Sequence, residues 1–247
     1  MQLIINAFVG VIVGIIINYF SDVLPVSRRI SRPLCKGCNQ PYSLKDYLVK
    51  LKCSNCGKKP SLRSIIVLLS SVAICILLNF FPFSILGFWA TLPILAFLGT
   101  IMVIDIEHKL VLFETSIFGF VLLLIYGLIL RNWLGTIIGA LIGFLIMLLF
   151  YYLGKGFTKL LGKLRHQEVS EVAFGFGDVF AGTFLGLLAG PSIIGAIFLA
   201  MLAFGAFSLV LILALLLSKR YRSFSNAQPF APFLILGVIA TFYLQGF

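Results

Sequence analysis

Charge is what this chain has least of. Asp, Glu, Lys and Arg make up 11% of 247 residues, whereas A, V, I, L, M, F, W, Y and C make up 61%. A water-soluble domain is nearer a quarter charged and half apolar, and one core of this size cannot hide the surplus. A soluble monomer is excluded. So is a disordered chain, which needs the opposite composition. Histidine is also scarce: His108 and His166 are the only two. They form no H-E-x-x-H pair, which removes the usual zinc metalloprotease, and they read as solvated loop residues. No G-x-S-x-G nucleophile elbow occurs, and no internal repeat supports an inverted-repeat transporter. Low-complexity tracts are missing too. Residues 1–20 carry neither a charged n-region nor a small-residue cleavage site. They are expected to stay as a first span rather than leave as a signal peptide.

Acids are rarer still and are confined to polar segments. The eight are Asp22, Asp46, Asp105, Glu107, Glu114, Glu168, Glu171 and Asp178, and none interrupts an apolar run. Ion and proton pathways usually place ionisable groups at membrane depth, so transport and channel functions lose support. The apolar runs lie near 3–20, 64–81, 86–104, 115–130, 134–153, 179–190, 192–217 and 229–246. A bilayer crossing takes about 20 apolar residues. The expectation is an all-α polytopic membrane protein of about eight transmembrane helices. The run at 179–190 is short for a crossing. Its helix begins before Asp178, or the bilayer is locally thin, or the segment is re-entrant. Three parts are expected: a first helix at 1–20, a small loop domain at 21–63, and a seven-helix portion at 64–247. Gly182, Gly186 and Gly190 read as packing residues that permit close helix contact.

The net charge of +11 comes from 19 Lys and Arg. In a soluble chain this balance would suggest nucleic acid; here it reads as the retention of basic loops in the cytoplasm. Nucleic acid is therefore not an expected partner, whereas membrane lipid is. With 21–63 placed inside, the loops near 105–114, 154–178 and 218–228 fall on the same side. Among the basic residues only Arg131 is then left outside. A re-entrant 179–190 would instead expose Lys219, Arg220 and Arg222.

Cysteine is sparse and unevenly placed. Cys35-Lys-Gly-Cys38 and Cys53-Ser-Asn-Cys56 lie in the one long polar segment, while Cys75 sits alone in an apolar run. Two C-x-x-C turns suit a closed tetrahedral zinc site with four thiolates. Lys36, Lys50, Lys52, Lys58 and Lys59 would offset its negative charge. A metal is physically sensible in a segment of this length, which has little core of its own. Dithiol redox chemistry and an iron–sulfur centre are the competing readings; structural disulfides are disfavoured on the cytoplasmic side. Cys75 reads as a small packing residue.

Two acids stand at the mouths of spans. Asp105 follows the run ending at Ile104, and Asp178 follows Gly175, Phe176 and Gly177. Two carboxylates brought together can share a proton, one activating water and the other serving the scissile carbonyl. At about 4 Å and an effective dielectric near 20, two such charges repel by roughly 4 kcal/mol, which favours holding one proton between them. The competing reading makes both acids interfacial helix caps. It suits Asp178 before a helix better than Asp105 at the end of one.

These residues, in this order, resemble the bacterial type IV prepilin leader peptidases, the GxGD-type membrane aspartic peptidases. The likeness is carried by Gly14 and Asn18 followed by Leu24-Pro25, the two C-x-x-C pairs, Asp105-Ile-Glu-His108 and Gly175-Phe-Gly-Asp178. The resemblance implies Asp105 and Asp178 as the catalytic pair, with Gly175 and Gly177 completing the active-site motif. It implies a prepilin or pseudopilin substrate that loses its basic leader at the cytoplasmic face of the bacterial inner membrane. It also implies N-methylation of the new N-terminus with S-adenosylmethionine. The chain departs from the family's pattern at Leu112 and Phe113, where Pro and then Asp or Asn are common, and at Val23, where Arg is common. The alternative is a non-enzymatic scaffold of a pilus or secretion apparatus with a zinc knuckle.

Overall fold

The computed structural model describes residues 1–35, 37–43, 46–47, 52–57, 59, 61–82, 86–165, 175–217 and 228–244. Among these residues the structure is helical: α1 (Gln2–Ser27), α2 (Leu62–Phe80), α3 (Gly87–His108), α4 (Phe113–Leu130), α5 (Trp133–Arg165), α6 (Phe176–Ala189), α7 (Ile193–Leu217) and α8 (Ala231–Leu244). Each answers one of the eight apolar runs. Six helical stretches are long and apolar enough to cross a membrane, with α6, the turn after it and α7 forming one stretch of 42 residues; α8 is apolar but shorter. The protein is thus a multi-pass helical membrane protein. Lys36, Lys50, Lys58, His166, Glu168, Glu171, Lys219, Arg220 and Arg222 lie outside the described residues.

The chain forms two compact units, Met1–Ile104 and Asp105–Phe247. In the first, α1 and α2 meet along a seam that uses every fourth residue of α1, the spacing that keeps side chains on one helix face. Asn6 Nδ2 donates to Asn79 Oδ1 at 3.3 Å. A Cβ at Gly10 would lie 2.6 Å from the Cα of Val72, and one at Gly14 2.7 Å from Ser71 Oγ. Asn18 Nδ2 donates to the Ser64 carbonyl at 3.0 Å. Finally Asp22 pairs with Arg63 at 2.5 Å. Small residues let the backbones approach, and polar ones hydrogen-bond across where lipid offers no partner. Val13, Ile17, Val67 and Cys75 form the buried core beside this seam, so Cys75 packs as expected.

α1 runs on through Pro25 to Ser27, seven residues beyond the expected first span. Pro removes one N–H from the ladder but does so in the last turns. The helix closes when Arg28, in the left-handed region at φ 52°, donates its N–H to the Leu24 carbonyl.

In the second unit α6 is the central helix, buried along nearly its whole length from Val179 to Ala189. It packs on α5 through a glycine seam: a Cβ at Gly182 or Gly186 would strike Met147 or the Gly139 carbonyl. The packing role expected of these glycines is what the structure shows. Gly190 ends the helix at φ 59°, ψ −149°, and the 3-10 turn Gly190–Ser192 leads into α7. At 14 residues α6 is only about 21 Å long, short of the roughly 30 Å apolar layer. Its neighbours shield it, so it need not match the bilayer as a lipid-facing helix must. α6 begins at Phe176, before Asp178, as one of the sequence readings had it. α5, at 33 residues, is about 50 Å long and overshoots that layer.

Candidate active site and metal site

Asp105 and Asp178 both belong to the second unit, and helix ends place them. α3 continues past Asp105 to His108, so Asp105 lies within the last turn rather than after it. Lys109, at φ 54°, reverses the chain there, and its N–H donates to the Asp105 carbonyl at 2.8 Å. The Asp105 side chain is buried, at 4% exposure. Its Oδ2 accepts the backbone N–H of Ala231 at 3.0 Å. Ala231 is the first residue of α8, and its N–H is one of the four that a helix start leaves without an intrahelical partner. Asp178 occupies the first turn of α6. Its Oδ2 accepts the Gly175 N–H at 2.9 Å, and its own N–H donates to the Gly175 carbonyl at 3.1 Å.

Each aspartate therefore ties one carboxylate oxygen to a backbone N–H beside a helix start. The two lie within electrostatic reach of each other. The helix-cap reading of Asp178 is realised without excluding a shared site. Asp105 caps a helix too, but that helix is α8, 126 positions away in sequence.

The two glycines do different things. At Gly177 a Cβ would come within 2.9 Å of the Val111 Cβ, so glycine lets the start of α6 press against the segment after α3. At Gly175 the backbone is ordinary, φ −80° and ψ 159°, and only the Asp178 carboxylate and the Gly177 amide lie near a Cβ built there. Phe176, Phe180 and Phe113 flank this turn, with ring centroids 5.2 Å apart for Phe176–Phe180 and 6.4 Å for Phe113–Phe180. Glu107 and His108 sit exposed at the end of α3, and Glu114 lies in the first turn of α4. At the other end of α6, a Cβ on Gly190 would meet the Arg131 side chain at 2.8 Å. Arg131 and Asp178 thus mark opposite ends of one helix, about 18 Å apart along its axis.

The sequence did not single out Ala231, at the start of α8, as a partner of Asp105. The available signal was Pro232, in the first helical turn where proline is favoured, but nothing local indicated what the freed N–H would meet.

The cysteines form the second site, in the first unit. Cys35 Sγ lies 3.5 Å from Cys56 Sγ, and Cys38 Sγ 3.7 Å from Cys53 Sγ. All four sulfurs lie within 4.8 Å of one another, and none is in a disulfide. Tetrahedral zinc with sulfurs at about 2.3 Å needs sulfur–sulfur separations of about 3.8 Å. The donor set fits. The first pair sits on a short return in which Leu34 bridges Pro41 and Gly37 N–H points at Cys35 Sγ at 3.4 Å. The second is closed by Gly57, at φ 70°, whose N–H donates to the Cys53 carbonyl at 2.9 Å. Burial opposes the Cys35 thiolate, but the Gly37 N–H and the Tyr42 hydroxyl outweigh it and hold this thiol down at about 6. A hydrogen bond from the Gln40 backbone favours the Cys38 thiolate, yet burial and the neighbouring sulfurs prevail and push that thiol up to about 12. Four thiolates cannot crowd together unaided, whereas a dication at the centre would hold them. Lys52 and Lys59 are exposed near the second pair.

Eight helices among the described residues, with two carboxylates on helix ends in the second unit, describe a multi-pass helical membrane protein with one candidate acid pair. A model of the type IV leader peptidase family matches residues 92–215, half of the chain, and the chain belongs to that family. The matched span holds Asp105 and Asp178; the cysteines and the start of α8 lie outside it. No curated protein and no solved structure matches the chain.

Proposed function

We propose that this chain is the aspartic endopeptidase that removes the basic leader from type IV prepilins and pilin-like precursors, with Asp105 and Asp178 as its catalytic pair. The observation that carries this reading is the convergence of two carboxylates, each tethered by one oxygen at the start of a different helix. That arrangement leaves an oxygen of each for chemistry. One carboxylate takes a proton from water, and the hydroxide formed bonds to the scissile carbonyl carbon. The other, carrying the shared proton, hydrogen-bonds the carbonyl oxygen and stabilises the tetrahedral intermediate. As the C–N bond breaks, the leaving amine receives the proton that the first carboxylate took from water. Gly175 leaves room beside Asp178 for an extended substrate backbone. An extended strand is required because a helical peptide bond is shielded by its own hydrogen bonds.

The site faces the cytoplasm of the bacterial inner membrane, as the distribution of basic residues supports. The working parts are the helix at 1–20, the loop domain at 21–63 with a structural zinc on Cys35, Cys38, Cys53 and Cys56, and the peptidase portion at 64–247. Bound zinc would supply a tie between the two C-x-x-C turns and no part of the cleavage.

N-methylation of the new N-terminus, with S-adenosylmethionine as donor, rests on the family resemblance. The first unit holds a cavity of about 320 Å³, but it does not fit that cofactor. Its walls are apolar, and Asp22, the acid nearest in sequence to its lining on α1, is engaged by Arg63 and Tyr47.

Cleavage of a prepilin in membranes, with Asp105→Asn and Asp178→Asn in parallel, tests the assignment. Each should abolish cleavage at normal expression. Retention of cleavage by either sinks the catalytic pair, and no cleavage by the native protein favours the scaffold.

A further inference from the structure

The cavity in the first unit has a use of its own. Ile16, Tyr19 and Phe20 of α1 form one wall, and Pro33, Tyr42 and Tyr47 of the following loop form the other. Its aromatic residues offer ring faces and edges rather than hydroxyls. The Tyr19 hydroxyl donates to the Ser31 carbonyl at 2.9 Å, and that of Tyr47 to Asp22 at 3.0 Å. The rings pack edge to face, Tyr19 on Tyr47 and Tyr42 on Tyr47, with centroids 6.4 and 5.7 Å apart. Such a slot suits hydrocarbon and offers a polar ligand little.

The slot also continues an exposed apolar track. Ile5, Phe8, Ile12 and Ile16 are all exposed on α1, and their spacing of three and four residues puts them on one face. That stripe ends at Ile16, in the cavity wall.

At the other end the charge changes. Arg28, Arg29 and Arg32 are exposed. The Tyr19–Ser31 hydrogen bond folds this segment back over the ring that lines the slot, and Arg32 stands between Ser31 and Pro33 at its rim. Of the acids in this segment, Asp22 is taken by Arg63 and Tyr47, and Asp46 is buried. A basic leader peptide and a sulfonium are repelled by such a rim; an anion with an apolar tail is attracted.

We propose that this cavity binds an anionic phospholipid, one acyl chain lying along the α1 stripe into the aromatic slot and the phosphate held by Arg28, Arg29 and Arg32. The bound lipid would brace the loop against α1 at the membrane surface. This inference is independent of the peptidase assignment.

The test is titration of the delipidated full chain, followed by native mass spectrometry. Four probes are compared: phosphatidylglycerol, phosphatidylcholine with the same chains, inorganic phosphate and S-adenosylmethionine. One phosphatidylglycerol should bind per chain, at least about tenfold more tightly than phosphatidylcholine, and phosphate should not displace it. The combined variant Arg28→Gln, Arg29→Gln, Arg32→Gln should bring phosphatidylglycerol down to the phosphatidylcholine level. Ile16→Trp, which fills the slot mouth, should weaken both lipids. Equal binding of the two lipids by the native chain, or an unchanged preference in the arginine variant, overturns the proposal. So does an unaffected Ile16→Trp, or displacement of the lipid by phosphate or by S-adenosylmethionine.

Discussion

The cysteine cluster and the aspartate pair are built on opposite plans. The cysteines all come from one loop, within 22 positions of sequence, and their sulfurs meet because two short turns aim them at a common centre. A metal would be the main organiser there, since little apolar core surrounds the turns. The aspartates come from α3 and α6, and a third helix, α8, orients one of them. Backbone amides at helix starts do the holding, and those helices are in turn held by packing such as the α5–α6 glycine seam. Local turns can form a site early and cheaply in chain entropy. A site made from helix ends exists only once the bundle has assembled, but it is rigid when it does.

The largest expected effect comes from removing ionisation while keeping shape. Asp105→Asn and Asp178→Asn should each lower prepilin cleavage by at least about 10²-fold, the lower end for a positioned acid or base. Cleavage assays in membranes check this, and a residual rate above about a hundredth of native contradicts the shared-proton scheme.

Next comes the tether from α8. Ala231→Pro removes an N–H that α8 does not use and puts the ring Cδ in its place, so the Asp105 carboxylate loses its tether and is displaced while the helix start, where proline is tolerated, persists. A hydrogen bond to a charged group is worth about 1.5–3 kcal/mol, so cleavage should fall by roughly 10- to 150-fold at unchanged helix content. Circular dichroism beside the cleavage assay separates this from unfolding. A native rate would show that α8 does not orient Asp105.

Gly177→Ala should act more gently. The new methyl meets Val111 at 2.9 Å, and over-packing of this kind typically costs about 1–3 kcal/mol. Lower thermal stability with a smaller loss of cleavage is expected, and the double change with Val111→Ala should recover part of both.

The smallest effect on cleavage should come from the other site. Cys35→Ser, or zinc removal by chelation, should strip metal and loosen the loop, read by metal analysis and by proteolysis of the loop. Cleavage should stay within a few-fold of native. If it instead falls as far as in the aspartate variants, the two plans are not separable. Glu107→Gln belongs at this end too, with at most a modest rise in KM.

Sequence by itself determined the membrane class, the number of apolar helices, the pairing of cysteines in one loop and the place of two aspartates at the mouths of spans. These are matters of composition, run length, short spacing and the family motif, which neighbouring residues encode directly. Apolar length also placed α6 roughly, but it could not say why a 14-residue helix is tolerated; shielding by surrounding helices explains that. The helices run past the apolar runs at Asp105 and at Ser27 because hydropathy stops where polar residues begin, whereas backbone hydrogen bonding runs on to the last residue that can be capped. Only tertiary structure decided that Ala231 holds Asp105, that Gly177 is needed against Val111, and that the tyrosines of the loop close a slot on α1. Each of these joins residues distant in sequence through contacts that no local pattern records, because the packing of whole helices sets them.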